Sequence, residues 1–356
     1  MCSKIMMILR GVLGAALAVF ALAAQADVFN MPAGQTSMQF VSVGNPGNAA
    51  DPATGGTLGS VGYVYKMGEY DVTVAQYTAF LDAVAKTADP YGLYNSSMAS
   101  GYAACGISRS GSSGNYTYST TKNPSFPVNW VSWADGARFC NWLQNGQPTG
   151  AEGTGTTETG SYAMNGATSD SALMTVARTS TATYVIPTQN EWYKAAYYDP
   201  ALNGGGGGYW AYPTRSNTAP INTLPDTGNH ANFYDTYHTG NNGYTDPTNL
   251  LTPVGDFVLS PSAYGTFDQG GDVEDLLDTP VPSYPTDPRY PDRVYRGGSF
   301  NGDSDVLASY YWNGIPPTGD GPYYGFRVAS VPEPSTVALL LAGALAFGLW
   351  RLRRRA

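Results

Sequence analysis

Three stretches of the chain place apolar residues at helical spacing, and each follows a residue able to cap a helix. Thr73-Val74-Ala75-Gln76 fits a capping box, in which a hydroxyl and an amide side chain satisfy first-turn amides that have no intrahelical partner; Tyr77, Phe80, Leu81 and Val84 then line one face. A second helix starts at Ser132, with Asp135 three residues on. It carries Ala137, Phe139, Cys140, Trp142 and Leu143 to a stop at Asn145-Gly146. Thr188-Gln189-Asn190-Glu191 opens a third ahead of Trp192, Ala195, Ala196 and Tyr197. Strand-like runs occur at 38–43, 61–70 and 184–187, where apolar and polar positions alternate or β-branched residues cluster. Residues 293–300 and 323–328 read as paired core strands, and 301–322 as the loop between them, presenting Tyr310, Tyr311, Trp312 and Asn313 as candidate ligand-binding residues. Residues 89–129 and 146–183 lack periodicity and read as long ordered loops. So few short elements in a Gly-, Tyr- and Pro-rich chain imply a single α+β domain with much irregular structure.

Both ends carry different information. Residues 1–26 place Lys4 and Arg10 before an apolar run and end in Ala24-Gln25-Ala26, the layout of a secretory signal peptide, so the mature body is expected over 27–330. Residues 331–356 run from Val331-Pro332-Glu333-Pro334 through an apolar segment to Arg351, Arg353, Arg354 and Arg355. Arginines after an apolar segment stay cytoplasmic, which leaves the body outside the inner membrane. This tail resembles the PEP-CTERM sorting signal of Gram-negative bacteria. The resemblance implies an exosortase-type sorting enzyme as partner, membrane contact through the tail before processing, and a destination in the envelope, at the surface or in the medium.

Charge narrows the partners. All 27 acidic residues but only 12 of the 18 basic ones fall within 27–350, a net charge of −15 there, which excludes nucleic acid and favours cations. Cys105 and Cys140 survive into an oxidising compartment. They form either a disulfide, whose loop of about 36 residues would add roughly 3 to 4 kcal/mol, or two separate positions, a loop thiol and a helix core residue. His230 and His238 lack zinc-ligand spacing, and no Gly-x-Ser-x-Gly elbow occurs. The Gly204–Gly208 run has neither a following helix nor a lysine, so it reads as a turn and not a phosphate cradle.

Six blocks in order resemble the sulfatase-modifying-factor family, the formylglycine-generating enzymes and their relatives. They are Glu69-Tyr70-Asp71-Val72-Thr73, Pro127-Val128-Asn129-Trp130-Val131-Ser132-Trp133, Ile186-Pro187-Thr188 with Glu191-Trp192, Tyr264-Gly265, Arg296-Gly297-Gly298-Ser299, and Gly325-Phe326-Arg327. The resemblance implies a C-type-lectin-like fold. The family's oxidases hold copper with two cysteines between the last two blocks; this interval has none, so copper and formylglycine oxidation are disfavoured. The family's two calcium sites map onto Asn232, Phe233, Asn242 and Tyr244, and onto Asp268, Gly271, Val273 and Asp275 in a block that lacks the usual tryptophans; the second set reads equally as an acidic solvated loop. The expected function is a surface-displayed, non-catalytic protein that is structural or binds a glycan or an envelope protein. The competing expectation is a divergent formylglycine-generating oxidase.

Overall fold

All three predicted helices form, each with its reciprocal cap. The computed structural model describes residues 37–237, 240–282 and 291–332; the leader expected over 1–26, His238 and the tail from Glu333 lie outside these. Helix Val74–Val84 is closed by Thr73 and Gln76, helix Trp133–Gln144 by Ser132 and Asp135, and helix Gln189–Tyr197 by Thr188 and Glu191. The predicted inner faces are buried. Phe80 meets Phe139 edge-on at 5.3 Å, and Phe139 meets Phe326 of the Gly-Phe-Arg block at 5.5 Å. Such pairs add about 0.5 to 1.5 kcal/mol each beyond their buried area. Gly136 lets the helix come this close: a Cβ there would lie 3.3 Å from the Phe326 ring. Among the described residues no helix is long and apolar enough to cross a membrane.

Two four-stranded sheets frame the helices. One runs in the order Phe40–Val43, Tyr65–Gly68, Ala329–Ser330, Tyr184–Val185, so it joins both ends of the described body. Phe40 lies opposite Gly68, and Ala329 opposite both Met67 and Val185, all antiparallel. The other runs Asn313–Ile315, Arg293–Arg296, Glu274–Pro280, Tyr324–Gly325. This α+β arrangement, with few short elements, is the fold class expected from the sequence.

Four expectations need correction. Residues 89–129 are not all loop, since Ile107–Ser110 pairs antiparallel with Thr117–Thr120. The strands at Arg293–Arg296 and Tyr324–Gly325 share a sheet but do not pair, because Glu274–Pro280 runs between them, antiparallel to the first and parallel to the second. That strand carries Asp278 and also Asp275, from the segment for which an acidic solvated loop was one reading, and its residues 275–277 are buried. Arginines from distant segments neutralise it. Arg327 donates to Asp275 (2.7 Å), while Arg178 (2.9 Å) and Arg293 (3.0 Å) donate to Asp278. Next, residues 301–322 are not all loop: they hold a helical turn at Ser304–Leu307 and the strand Asn313–Ile315, whose Asn313 lies opposite Tyr295. Finally, Cys105 and Cys140 are both free, buried thiols and not a disulfide. Cys140 packs in the core of its helix, and Cys105 lies 3.9 Å from the Met98 and Asn129 carbonyls. Burial raises both thiols, that of Cys105 to about 11.

Candidate binding surface

The Arg293–Arg296 strand ends in Gly297-Gly298, both with positive φ (98° and 70°). A Cβ on Gly298 would stand 2.6 Å from Val306, so the turn admits only glycine without a shift. It drives Phe300 inward and leaves Asn301 exposed. Around Phe300 stand the rings of Tyr323 (5.7 Å), Tyr102 (6.1 Å) and Tyr244 (6.4 Å), with Tyr234 edge-on to Tyr244 at 4.8 Å.

Hydroxyls tie this cluster together. Tyr244 donates to Asn301 Oδ1 (2.9 Å), and the Tyr102 hydroxyl lies 2.9 Å from that of Tyr244 and 3.4 Å from the same Asn301 oxygen. Trp130, held at a φ of 59°, donates its indole N–H to the Tyr102 carbonyl (3.2 Å). Partial desolvation, then the neighbouring Tyr244 hydroxyl, raises Tyr102 above the ordinary phenol range, so it stays neutral. Tyr102 is 49% exposed and Tyr234 37%. The arrangement can stack on a flat ligand and hydrogen-bond at its edge, without a nucleophile of its own. Sequence reading missed Tyr102 and Asn301, since Tyr102 sits in an aperiodic loop about 200 positions upstream of Asn301. Only Asn301's place next to the Arg-Gly-Gly-Ser block offered a signal.

The predicted aromatic run divides. Tyr310 is 67% exposed and Trp312 41%, so both face outward; Tyr311 is half-buried. The segment is pinned from beneath by buried Arg296, which donates to the carbonyls of Ser309 (3.0 Å) and Tyr311 (2.8 Å). Asn313 is exposed on its edge strand.

The two predicted cation sets, separate in sequence, are neighbours. Asn232 bridges to Gly271, and the Asp272 N–H donates to its carbonyl (2.8 Å). A Cβ on Gly271 would fall 2.1 Å from that carbonyl oxygen. Three side-chain oxygens are buried without a partner: Asn232 Oδ1, Asp268 Oδ1 and Asp275 Oδ1. Their companion atoms are taken: Asn232 Nδ2 donates to the Leu250 carbonyl (2.9 Å), the Gly255 N–H donates to Asp268 Oδ2 (2.6 Å), and Trp192 Nε1 donates to Asp275 Oδ2 (2.7 Å). Phe233 offers its carbonyl to Asn222 (3.0 Å), and the Asn242 N–H donates to Asp235 (3.2 Å). The Tyr244 side chain belongs to the tyrosine face, and Val273 is buried. Among the described residues no three His, Cys, Asp or Glu side chains are gathered as a metal site, so any cation here relies on backbone carbonyls as well.

Residues 23–331 match the model of the sulfatase-modifying factor enzyme 1-like domain, and residues 330–355 that of the PEP-CTERM protein-sorting motif. Solved structures similar to this chain include Treponema denticola variable protein 1 (17% identity, 85% of this chain and 98% of that one, TM-score 0.47). They also include CarF (17%, 83% and 98%, 0.46) and PvdO from Pseudomonas aeruginosa (18%, 83% and 95%, 0.45). No curated protein matches the chain.

Proposed function

Because this chain belongs to the sulfatase-modifying factor enzyme 1-like domain family, we propose that it uses the family scaffold for binding at the cell envelope and not for the oxidation of sulfatase cysteines. The PEP-CTERM motif is a sorting signal read by an exosortase and implies export to the Gram-negative envelope. One observation carries the binding reading. Where the family's oxidases keep their cysteines, after the Gly-Gly-Ser block, this chain has Asn301 hydrogen-bonded to Tyr244 and beside Tyr102. The two cysteines of the body are buried thiols with raised pKa, and a copper site needs thiolate.

The ligand is a glycan or an envelope protein, met by the tyrosine face and by Tyr310 and Trp312 beyond it. Tyrosine and tryptophan give large contact areas at low entropic cost. Calcium is the cation this reading calls for: Asn232 Oδ1, Asp268 Oδ1 and Asp275 Oδ1 are buried oxygens lacking donors, and the carbonyls of Gly271 and Val273 are the further ligands that the family resemblance implies. A bound cation would offset their charge and fix the segments that carry Tyr244 and Asn301 in place. Copper tests the reading directly. The purified protein is expected neither to bind Cu(I) stoichiometrically nor to oxidise a sulfatase-motif peptide, and both activities together would establish the oxidase. Mature protein from the host is expected to end near Pro332 to Pro334; intact mass retaining Arg353 to Arg355 on surface material would contradict the sorting step.

A further inference from the structure

A cleft of about 220 Å³ opens beside the first turn of helix Val74–Val84, walled by Gln39, Tyr70, Asp71, Thr73, Ser125 and Val254 among others. Asp71 is 2% exposed and is the only charged residue in the lining. Its Oδ1 accepts from Arg327 Nη2 (2.6 Å), while its Oδ2 is buried and has no hydrogen-bond partner. Leaving a buried carboxylate oxygen unpaired is unfavourable, so an oxygen held this way in the wall of a cleft points to a donor that the chain does not supply.

The cation behind Asp71 is already shared. Arg327, fully buried, also donates through Nε to Asp275 (2.7 Å), through Nη1 to the Gly68 carbonyl (3.2 Å) and through Nη2 to the Phe267 carbonyl (3.2 Å). One guanidinium thus serves two carboxylates. Burial pushes the Asp71 carboxyl well above the usual carboxylate range; Arg327 opposes this, and Asp275, Asp268 and Asp272 add to it. The helix start offers nothing to an anion, because the N–H groups of Val74, Ala75 and Gln76 go to the Phe126 carbonyl (2.9 Å), the Pro124 carbonyl (2.9 Å) and Thr73 Oγ1 (3.3 Å). A hard metal ion is a poor match too. Calcium takes about six to eight oxygens, and here one carboxylate faces oxygens already in use: Gln76 Oε1 accepts from the Thr73 N–H (2.9 Å), and the Ser125 carbonyl from the Val254 N–H (2.9 Å). An ammonium group needs only a few acceptors and approaches as a point charge, which suits one free oxygen better than a two-pronged guanidinium does. Met38, Ala75, Pro124 and Val254 give the same cleft an apolar wall for an alkyl stem.

We propose that this cleft binds a primary alkylammonium group, with Asp71 Oδ2 as its charged acceptor and the alkyl stem against the apolar wall. The proposal does not depend on what the tyrosine face binds. Calorimetric titration of the protein purified from its host with n-butylamine, n-butanol, tetramethylammonium and Nα-acetyl-lysine methylamide tests it. n-Butylamine is expected to bind about tenfold or more tighter than n-butanol, which lacks the charge, and than tetramethylammonium, which lacks the N–H donor. Given that preference, binding of the lysine derivative identifies a lysine side chain as a source of the group, and its failure to bind restricts the site to free amines; either supports the proposal. n-Butanol or tetramethylammonium binding as tightly as n-butylamine, or no binding of n-butylamine, overturns it. Asp71→Asn is expected to weaken n-butylamine binding about tenfold or more, the loss typical of a charged hydrogen bond. Because Asp71 also pairs with Arg327, a second variant decides the matter if Asp71→Asn fails to fold: Ser125→Trp places bulk in the cleft from a half-buried wall position and leaves the ion pair alone. Unchanged affinity in a folded Asp71→Asn or in Ser125→Trp refutes the site.

Discussion

At the scale of single residues, the fold depends on buried charges whose partners lie far away in sequence. Arg327 is fully buried; it donates through Nε to Asp275 (2.7 Å) and through Nη2 to Asp71 (2.6 Å). Removing it would strand two carboxylates in the core, and breaking a buried pair in this way costs about 3 to 5 kcal/mol. Arg327→Ala should lose that much in urea unfolding, and Arg327→Lys should recover part of it, because one ammonium can still pair but cannot reproduce the fork. The thiols give a second check: Cys105 and Cys140 should react with a thiol reagent only after unfolding, and a reactive thiol in the native protein would revive the oxidase reading. Titration gives a third. Asp135 is lifted to about 7 and Glu152 to about 8, in each case chiefly by desolvation; Asp320 adds to the first and Asp89 to the second, and Arg138 opposes both. Each group's folded-state value exceeds its unfolded one, so the native chain binds more protons across that interval and stability declines as pH rises from about 4 to 8. Glu191, whose value is lowered by Arg178 against the cost of burial, is ionised throughout pH 5 to 8 and does not oppose this. The urea midpoint should be lower at pH 8 than at pH 5 in chelator, and Asp135→Asn should flatten the slope; a midpoint that rises with pH would refute the assignment.

At the scale of elements, the segment 301–322 is a platform and not a free loop. Its short strand pairs with Arg293–Arg296, and Arg296 holds its carbonyls, so the outward rings stand on a fixed backbone. Tyr311→Ala with Trp312→Ala should abolish retention on a glycan array or an envelope fraction while shifting the melting temperature by only a few degrees. Half-buried Tyr311 is the part of the pair that tests this separation. Unfolding of the double variant, or full retention, would end the idea. The capping boxes are purely structural by comparison: Thr188→Ala should cost about 1 kcal/mol and leave binding alone.

At the scale of the whole molecule, the excess of negative charge couples stability to cations. Unpartnered oxygens of Asn232, Asp268 and Asp275 lie buried where two distant segments meet. A ligand bound only by the native state adds about 2.7 kcal/mol at a hundredfold excess over its dissociation constant. The melting temperature should fall in chelator and recover with calcium, and Asp268→Asn should blunt the response. Identical melting curves with and without calcium, in wild type and variant alike, would remove the cation from the account.

The sequence by itself determined the local elements and the order of the blocks. A capping hydroxyl followed by an acceptor three residues later, ahead of helically spaced apolar residues, acts within a few residues, so Thr73, Ser132 and Thr188 announced their helices directly. The tail was legible for the same reason, as a contiguous pattern of charge and apolarity. What only the tertiary structure decided depends on partners hundreds of positions apart. Asp275 read equally as a cation ligand and as part of a solvated loop because nothing near it in sequence neutralises it; Arg327 does so in space, as Arg178 and Arg293 do for Asp278, and the segment becomes a central strand. Tyr102 meets Asn301 and Tyr244 only after the chain folds, and Asp71 meets Arg327 only because the two ends of the described body come together in one sheet. Cysteine spacing left a disulfide open, and packing settled it by burying each thiol in its own surroundings. Capping is short-ranged and written in neighbouring residues, whereas charge neutralisation and surface recognition are set by proximity in three dimensions.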